Sequence, residues 1–517
     1  MSVLKVTNVS FSFGNRQILE DASFVMQKGE HIGLIGMNGE GKSTFIKMIT
    51  GSLTPDEGKI EWCKRITTGY LDQYSSLTKG KTIRDVLKEA FGYMYDLEKD
   101  IFKMYEDMAS ADEATMNKML EEIGEIQSEL EHNGFYELDS KIEEVASGLG
   151  LLEIGLDRDV EELSGGQRAK VLLTKLLLAK PMILILDEPT NFLDEDQVTW
   201  LQRYLEEYEN AFILVSHDMP FLNSVVNVIY HMEDGVLTRY TGNYDKFMEM
   251  YELKKKHQNI AYEKQQKDIK KLETFIAKNK ARVATTNLAK SKQRILDKME
   301  IIDKAKEQIK PTFSFKKAGA SGRFVIDCRD LVTGYDEPLS KPINLTIERG
   351  KKVAIKGANG IGKSTLLKTF LGLLKPISGS VTLDYNIHYG YFEQEAVLDS
   401  IPALDYYWNH FPSLTNAEVR GALAAVGLTK DKIESLMVVL SGGEAAKVRL
   451  AILCNNETNT LILDEPTNHL DVLAKEALKE ALKNYKGTII LVCHEKEFYE
   501  GLVDEVIDAE KWTTKVI

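Results

Sequence analysis

Two short stretches of this 517-residue sequence carry the residue pattern of a phosphate-binding loop. They read GMNGEGKST at residues 36–44 and GANGIGKST at residues 357–365. In the pattern G-x-x-x-x-G-K-[ST], the glycines let backbone N–H groups close on phosphate oxygens, and the lysine reaches the β- and γ-phosphates. The spacing therefore predicts that Lys42 and Lys363 contact phosphate groups.

Each loop is followed along the chain by an apolar stretch that ends in Asp-Glu, within ILILDE at 183–188 and TLILDE at 460–465. The Asp and the loop serine are the residue types that hold Mg²⁺ beside a phosphate, and the Glu can polarise an attacking water. The predicted Mg²⁺ ligands are Ser43, Asp187, Ser364 and Asp464. Glu188 and Glu465 are the predicted catalytic bases. The alternative is a strand-end carboxylate pair that only meets solvent, and the recurrence at one spacing disfavours it.

The full set of motifs occurs twice at matching intervals. LSGGQ at 163–167 returns as LSGGE at 440–444, and VSHD at 215–218 returns as VCHE at 492–495. One interval differs: 91 residues separate Gln73 from Ser164, whereas 47 separate Gln394 from Ser441. The chain therefore contains two similar domains, and the first has 44 extra residues at one place.

These motifs need particular elements to position them. The apolar runs HIGLIG and KVAIKG before the loops predict strands, and FIKMIT and LLKTFLG after them predict helices. A phosphate at the N-terminus of such a helix is favoured by the helix dipole. The predicted class is α/β, with two P-loop domains.

The composition excludes several classes of protein. The sequence has 43% hydrophobic and 28% charged residues, and no run of eighteen apolar residues that would span a membrane. The start, MSVLKVTNVSFSF, lacks the features of a signal peptide. Four widely separated cysteines fit neither a metal site nor a disulfide framework, which indicates the cytoplasm.

The extra residues of the first domain predict an acidic helical arm at about 83–132. Apolar residues alternate three and four apart, as in a heptad seam, at Leu87, Ala90, Met94, Leu97, Ile101, Met104 and Met108, and again at Met119, Ile123, Ile126 and Leu130. This pattern predicts two antiparallel helices. Between residues 84 and 132 there are 5 Lys/Arg and 14 Asp/Glu, so the arm should avoid RNA and favour a basic protein surface. The alternative is a hairpin that packs on its own domain.

A basic segment joins the two domains, although the whole chain has a formal charge of -14. Residues 250–310 contain 17 Lys/Arg and 8 Asp/Glu. The pattern predicts one helix from Tyr244 to about Lys280 and a second that carries Leu288, Ile295, Ile302 and Ile309, with ARVATTN as the tip. The predicted RNA contacts are Lys278, Lys280, Arg282, Lys290, Lys292 and Arg294. The alternative is a solvated coiled coil, since charge runs are usually exposed faces.

Together the motifs resemble the ATP-binding-cassette ATPases. The resemblance implies that LSGGQ of one domain faces the phosphate loop of the other, so that a monomer closes its two cassettes on ATP and Mg²⁺. It assigns metal and water contacts to Gln73 and Gln394, γ-phosphate contacts to His217 and His494, and adenine stacking to Phe13 and Tyr335. Each aromatic could instead be a core residue. The second signature departs from the family pattern at Glu444, and Cys493 stands where the first copy has Ser216.

The resemblance thus outlines two composite ATP sites. The ATP-binding residues that it implies in the first half are Phe13, Gly36, Asn38, Gly39, Gly41, Lys42, Ser43, Thr44, Gln73, Ser164, Gly165, Gly166, Gln167 and Asp187. Those in the second half are Tyr335, Gly357, Asn359, Gly360, Gly362, Lys363, Ser364, Thr365, Gln394, Ser441, Gly442, Gly443, Glu444 and Asp464.

Tandem cassettes, an arm in the first and a basic two-helix linker resemble, more narrowly, the ABC-F translation factors. That resemblance implies two P-loop cassettes, each with a helical subdomain, joined by a long helical hairpin. The expected division is 1–243, 244–311 and 312–517. The expected partners are the ribosome at its tRNA exit site, peptidyl-tRNA, and a basic ribosomal protein for the arm. Antibiotic protection is a further property of some members.

Two other classes remain open at this point. The chain could be the ATPase subunit of a membrane transporter, which would associate with membranes. It could also be a DNA-repair ATPase, which would bind DNA as tightly as ribosomes.

Overall fold

The fold is described from a computed structural model. It covers residues 2–14, 16–37, 39–71, 79–108, 112–279, 286–300, 304, 310–335, 337–394, 398–468 and 470–514. The chain divides into two compact units. One comprises Met1–Arg239 with Lys310–Ile517, and the other is Tyr240–Ile309.

The first cassette is built on two sheets. Its strands are β1 (Ser2–Phe13), β2 (Arg16–Gln27), β3 (His31–Ile35), β4 (Glu57–Trp62), β5 (Thr68–Leu71), β6 (Ile183–Asp187), β7 (Ala211–Val215), β8 (Val228–Glu233) and β9 (Val236–Thr241). An antiparallel sheet has the order β2-β1-β4. The central sheet has the order β5-β6-β7-β3-β8-β9, and its strands β5, β6, β7, β3 and β8 are parallel to one another. Parallel strands are covered on both faces, which explains the continuous apolar runs of β6 and β7.

Helices lie between these strands along the chain. They are α1 (Lys42–Ile49), α2 (Ile83–Lys88), α3 (Gly92–Met108), α4 (Glu113–His132), α5 (Leu138–Gly148), α6 (Gly165–Ala179), α7 (Glu195–Glu206) and α8 (Met219–Val225). The short helix α1 follows the first phosphate loop, and α6 begins inside LSGGQ.

The arm is shorter than the heptad pattern predicts. Helices α3 and α4 form the expected hairpin, with Ile101, Ile123 and Leu130 buried between them. Residues 83–91 do not belong to it, because Ile83 and Leu87 are fully buried and α2 packs on α6. A capping box at Thr82 starts α2, and a 3₁₀ turn at 89–91 ends it. The buried heptad positions of α2 therefore face the cassette and not α4.

The second compact unit is a helical hairpin of α9 (Tyr244–Asn279) and α10 (Thr286–Asp297). Helix α9 has 36 residues, which is about 54 Å at 1.5 Å per residue. The two helices pack together, and the Gln265 amide donates to the carbonyl of Glu300 at 2.6 Å. The expected continuation of the second helix is wrong after Asp297, because Lys298 to Glu300 turn out of the helix. Ile302 and Ile309 lie outside the described residues.

The second cassette repeats the first. Its strands are β10 (Phe324–Val332), β11 (Ile343–Glu348), β12 (Lys352–Lys356), β13 (Ser378–Leu383), β14 (Tyr389–Phe392), β15 (Thr460–Asp464), β16 (Thr488–Val492) and β17 (Glu505–Asp508). Its helices are α11 (Lys363–Phe370), α12 (Ala403–His410), α13 (Asn416–Ala425), α14 (Lys430–Glu434), α15 (Gly442–Asn455), α16 (Val472–Asn484) and α17 (Lys496–Tyr499). The antiparallel sheet β11-β10-β13 and the parallel sheet β14-β15-β16-β12-β17 match the strand order of the first cassette.

The cores place the functional segments at one edge of each sheet. Strand β6 is buried up to Asp187, which is half-buried, and β15 is buried throughout, including Asp464 at its end. Helices α12 to α15 share a buried cluster beside the second central sheet, which is the helical subdomain. The phosphate loops, the Asp-Glu pairs and the histidines all follow the carboxyl ends of parallel strands, where α/β folds bind ligands. The predicted α/β class with two cassettes is confirmed.

Candidate nucleotide sites

Each phosphate loop connects a central strand to the first turn of a helix. Gly41 and Gly362, the residues before α1 and α11, have φ of 108° and 100°. A Cβ atom on Gly41 would lie 2.5 Å from Cγ2 of Ile18, and one on Gly36 would lie 2.6 Å from the carbonyl oxygen of Met232. Only glycine fits both the backbone angle and the space at Gly41. Gly41 and Gly362 are N-caps without a capping side chain, which leaves the amide groups of the first helical turn to face an anion.

The loop lysines are buried and bound to their own loops. Lys42 Nζ donates to the carbonyls of Gly36 and Met37 at 2.7 and 3.0 Å. Lys363 Nζ makes the same contacts to Gly357 and Ala358 at 2.7 and 2.9 Å. Burial lowers the pKa of both lysines, in Lys363 to about 8, while nearby carboxylates raise it. Both ammonium groups are thus fixed where the phosphates of a nucleotide would lie.

The aspartates that end β6 and β15 lie beside the loop serines. The Ser43 hydroxyl donates to Asp187 Oδ2 at 3.1 Å. Asp464 is 1% exposed, and neither of its oxygens has a well-formed hydrogen bond within the described part of the chain. The Ser364 hydroxyl is still close enough to lower the pKa of Asp464, which burial raises to about 6. Buried carboxylate oxygens beside a hydroxyl fit the oxygen preference of Mg²⁺.

The glutamates after these aspartates have an unusual backbone. Glu188 and Glu465 have φ of 51° and 48°, in the left-handed region that costs non-glycine residues free energy. Their N–H groups donate to the carbonyls of Val215 and Val492 at 2.9 and 3.0 Å, and these bonds hold the strained turn in place.

Each of these glutamates contacts the histidine of its own cassette. His217 Nε2 lies 3.4 Å from Glu188 Oε1, and His494 Nε2 lies 3.0 Å from Glu465 Oε1. Burial, and then the charge of Asp187, raise the pKa of Glu188. The second cassette adds a contact of 2.9 Å between His494 Nε2 and Lys363 Nζ. Lys363, Glu465 and His494 therefore meet at one point.

The signature segments cap helices. Ser164 accepts from the N–H of Gln167 and Gln167 Oε1 accepts from the N–H of Ser164, which is a capping box at the start of α6. Ser441 and Glu444 form the same box on α15. Glu444 is buried, and Lys432 Nζ lies 2.9 Å from its Oε2. The departure from glutamine thus preserves the cap, and a lysine neutralises the added charge.

The other predicted residues vary in their placement. Phe13 and Tyr335 are 54% and 63% exposed, so neither is a core residue. Gln394 is exposed at a bend after β14. Thr365 is buried, whereas Thr44 is half-buried. Asn38 and Gln73 lie outside the described residues.

The predicted RNA-binding lysines and arginines of the linker also differ in their exposure. Lys278, Lys290 and Arg294 are exposed, and Lys292 is half-buried. Lys280 and Arg282 lie outside the described residues.

The structure also brings a predicted ATP-binding residue into contact with a segment that sequence reasoning left unassigned. Asn359 Nδ2 of the second phosphate loop donates to the carbonyl of Phe192 in the first cassette at 3.4 Å. Phe192 belongs to the segment NFLD, which follows β6 and ends at Asp194. The counterpart of Asp194 is Asp471. The repetition of this aspartate in both motif copies was the sequence feature that could have identified the segment as functional.

Two phosphate loops with paired carboxylates, histidines and capped signature helices define a tandem ATP-binding-cassette ATPase. A family model described as "ABC transporter" matches residues 19–191 and 340–468, and a second with the same description matches 230–315. The chain hydrolyses ATP with these domains.

Comparison with individual proteins shows the family to which the chain belongs within this class. The chain is 57% identical to the "Uncharacterized ABC transporter ATP-binding protein YfmM" of Bacillus subtilis (strain 168), over 100% of both chains. It is 34% identical to "ABC transporter F family member 5" of Arabidopsis thaliana, over 98% of this chain and 75% of that protein. The chain belongs to the ABC-F family.

Among solved structures, the chain is similar to an archaeal ribosome recycling factor, aABCE1, in complex with the ribosomal stalk protein aP1. The TM-score is 0.58 at 20% identity, over 97% of this chain and 87% of that one. At this identity the similarity shows the shared tandem fold alone. Within the described residues, no helix is long and apolar enough to cross a membrane.

Proposed function

We propose that this chain is a cytoplasmic ATPase of translation. It binds the ribosome at the tRNA exit site as an ATP-bound monomer, and hydrolysis releases it. The observation that carries the proposal is the helical hairpin α9–α10, whose charge is opposite to that of the whole chain. Lys278, Lys290 and Arg294 expose cationic groups on it, and such groups fit the phosphates of ribosomal RNA and tRNA.

In the proposed mechanism, each ATP lies between a phosphate loop and the signature segment of the other cassette. Lys42 and Lys363 bind the β- and γ-phosphates, with further contacts from the helix N-termini of α1 and α11. Glu188 and Glu465 orient and polarise the attacking water, and His217 and His494 contact the γ-phosphate. Phe13 and Tyr335 are exposed, as adenine stacking requires.

Magnesium fits the same sites. Ser43 with Asp187, and Ser364 with Asp464, would hold the ion, and Gln73 and Gln394 complete the proposed ligand set. The bound ion supplies neutralisation of phosphate charge. The buried, weakly bonded oxygens of Asp464 support this assignment.

The acidic arm is proposed to contact a basic ribosomal protein. Its helices carry exposed aromatic side chains, Phe102 and Tyr105, at 62% and 47% exposure. Acidic groups around exposed aromatics repel nucleic acid and complement a basic protein surface. The proposal includes ribosomes stalled by an antibiotic among the targets.

Co-sedimentation tests this function. The variant that carries both Glu188→Gln and Glu465→Gln should bind ATP without turnover, and we expect it to pellet with ribosomes in ATP but not in ADP. Washed membranes and duplex DNA are tested in parallel as alternative binding partners. Retention on membranes or on DNA equal to that on ribosomes would instead support a transporter subunit or a DNA-repair ATPase.

A further inference from the structure

Each cassette contains a buried lysine on the helix that begins at the signature motif. Lys170 on α6 and Lys447 on α15 each lie six positions after the signature serine, and they are 7% and 6% exposed. A buried ammonium group is costly unless it is paired and hydrogen-bonded. The partners of these two lysines therefore indicate what the lysines do.

Both lysines bind the segment that follows the Asp-Glu strand. Lys447 Nζ lies 2.5 Å from Asp471 Oδ2. Asp471 Oδ1 accepts from the N–H of Ala474 and so caps α16. The side chain of Asp471 is thus fixed from both sides, by an ion pair and by a helix cap.

The first cassette has the same connection through a neutral side chain. Lys170 Nζ donates to Gln197 Oε1 at 2.6 Å. Gln197 and Asp194 bind each other in a capping box, with the Gln197 N–H to Asp194 Oδ1 distance at 3.0 Å. Each signature helix is therefore tied to Asp194 or Asp471 of its own cassette.

These aspartate segments face the opposite phosphate loop. The hydrogen bond from Asn359 to the carbonyl of Phe192 joins the second phosphate loop to the segment that ends at Asp194. The electrostatic interactions of the two loop lysines show that each aspartate lies near the opposite phosphate loop. Asp471 raises the pKa of Lys42, and Asp194 raises the pKa of Lys363, against the larger effect of burial.

We propose that Lys170 and Lys447 are positioning residues that act across the cassettes. Lys447 holds Asp471 toward the nucleotide site of Lys42, and Lys170 holds Asp194 toward the site of Lys363. A signature helix that moves on nucleotide binding would thereby also move the aspartate segment that faces the same nucleotide site. The proposal rests on the proposed phosphate-binding roles of Lys42 and Lys363, and it does not involve the ribosome.

The test isolates each site and measures binding of a fluorescent ATP analogue, mant-ATP. A Lys363→Met background reports the Lys42 site, and a Lys42→Met background reports the Lys363 site. Lys447→Met should weaken binding at the Lys42 site by about fivefold or more, because Asp471 loses the charged hydrogen bond that holds it toward that site. It should leave the Lys363 site unchanged, although Lys447 belongs to that cassette. Lys170→Met should weaken the Lys363 site in the same way.

The matched control is Lys175→Met, because Lys175 lies on the same helix as Lys170 but pairs with Glu89 at 2.6 Å. It should leave the Lys363 site unchanged, and Lys447→Arg should restore binding at the Lys42 site. Equal weakening of both sites by Lys447→Met, or no weakening at the Lys42 site, would overturn the proposal. If Lys447→Met does not fold, Lys447→Gln, which removes the charge that pairs with Asp471, is judged by the same outcomes. Failure of mant-ATP to bind the single-lysine backgrounds in a site-specific manner would instead refute the roles of Lys42 and Lys363.

Discussion

At the scale of single residues, Glu188 and Glu465 combine burial, a fixed backbone and a histidine neighbour. We predict that Glu188→Gln with Glu465→Gln retains ATP binding and reduces phosphate release by at least about a hundredfold, since a general base typically contributes 10²–10⁴-fold. Glutamine keeps the size of the side chain and removes its ability to accept a proton. Steady-state phosphate release and nucleotide binding are the measurements. Turnover near the wild-type rate would show that these are not the catalytic carboxylates.

Glu40 lies inside the first phosphate loop, where the second loop has Ile361. Burial raises the pKa of Glu40 from 4.5 to about 7, with Lys42 opposing the shift. The folded state therefore holds this proton more tightly than the unfolded state, so its contribution to stability is lost as pH rises from about 4.5 through about 7.

We predict that Glu40→Gln raises the melting temperature at pH 8 and has little effect at pH 4.5. Glutamine carries no charge to desolvate at either pH. Thermal unfolding at the two pH values measures this, and Glu61→Gln is the control because Glu61 is an exposed glutamate in β4. A gain of the same size at both pH values would contradict the assignment to ionisation.

Short-range spacing indicated which lysines, aspartates and glutamates lie together in each cassette, because each motif confines its residues to one loop or one strand end. The same reasoning could not pair Lys432 with Glu444 or Lys447 with Asp471. Those distances depend on how α14, α15 and the segment before α16 pack, which no local period encodes.

At the scale of elements, the arm shows where a periodic pattern stops being informative. The heptad seam runs unbroken through Leu87 in the sequence, yet Leu87 packs on the cassette, and Glu89 binds Lys81 and Lys175 at 2.5 and 2.6 Å. Apolar spacing shows that a helix face is buried, but it does not show which partner buries it. The removable part of the arm therefore begins after Gly92.

We predict that deletion of residues 98–129, closed by a short Gly-Ser link, leaves folding and ATP binding intact and weakens ribosome binding. Leu97, Leu130 and the contact of Tyr95 with Phe135 remain at the base of the hairpin. Thermal unfolding, mant-ATP binding and ribosome co-sedimentation are the measurements.

A matched deletion that also removes residues 88–91 should unfold the cassette, since it removes the end of α2 and the turn that packs on α6. If the shorter deletion alone prevents folding, the arm is part of the cassette core and not an appendage.

At the scale of the whole molecule, a chain of formal charge -14 presents a basic hairpin. We predict that changing Lys278, Lys280, Arg282, Lys290, Lys292 and Arg294 to Gln weakens ribosome binding and flattens its dependence on salt. Each cation that neutralises a phosphate releases counterions, so the slope of log affinity against log salt should decrease with every lost contact. ATPase activity without ribosomes should change little, because these residues lie outside both cassettes.

The control replaces six exposed lysines of the cassettes by Gln, which gives the same change in net charge. They are Lys5, Lys28, Lys59, Lys316, Lys375 and Lys430. Affinity and slope should then stay close to those of the unchanged protein. Equal slopes for the two six-fold variants would mean that the hairpin is a solvated spacer.

The left-handed backbone at Glu188 and Glu465 has a consequence for how such a chain changes under selection. A lineage selected for folding alone would drift toward glycine or asparagine at both positions, because either relaxes a conformation that costs other residues about 1–2 kcal/mol. Given the catalytic role proposed for both residues, glutamate is retained there while hydrolysis is useful to the cell. A copy that bound ATP but no longer needed to release it would be expected to lose these two side chains first, while its phosphate loops stayed intact.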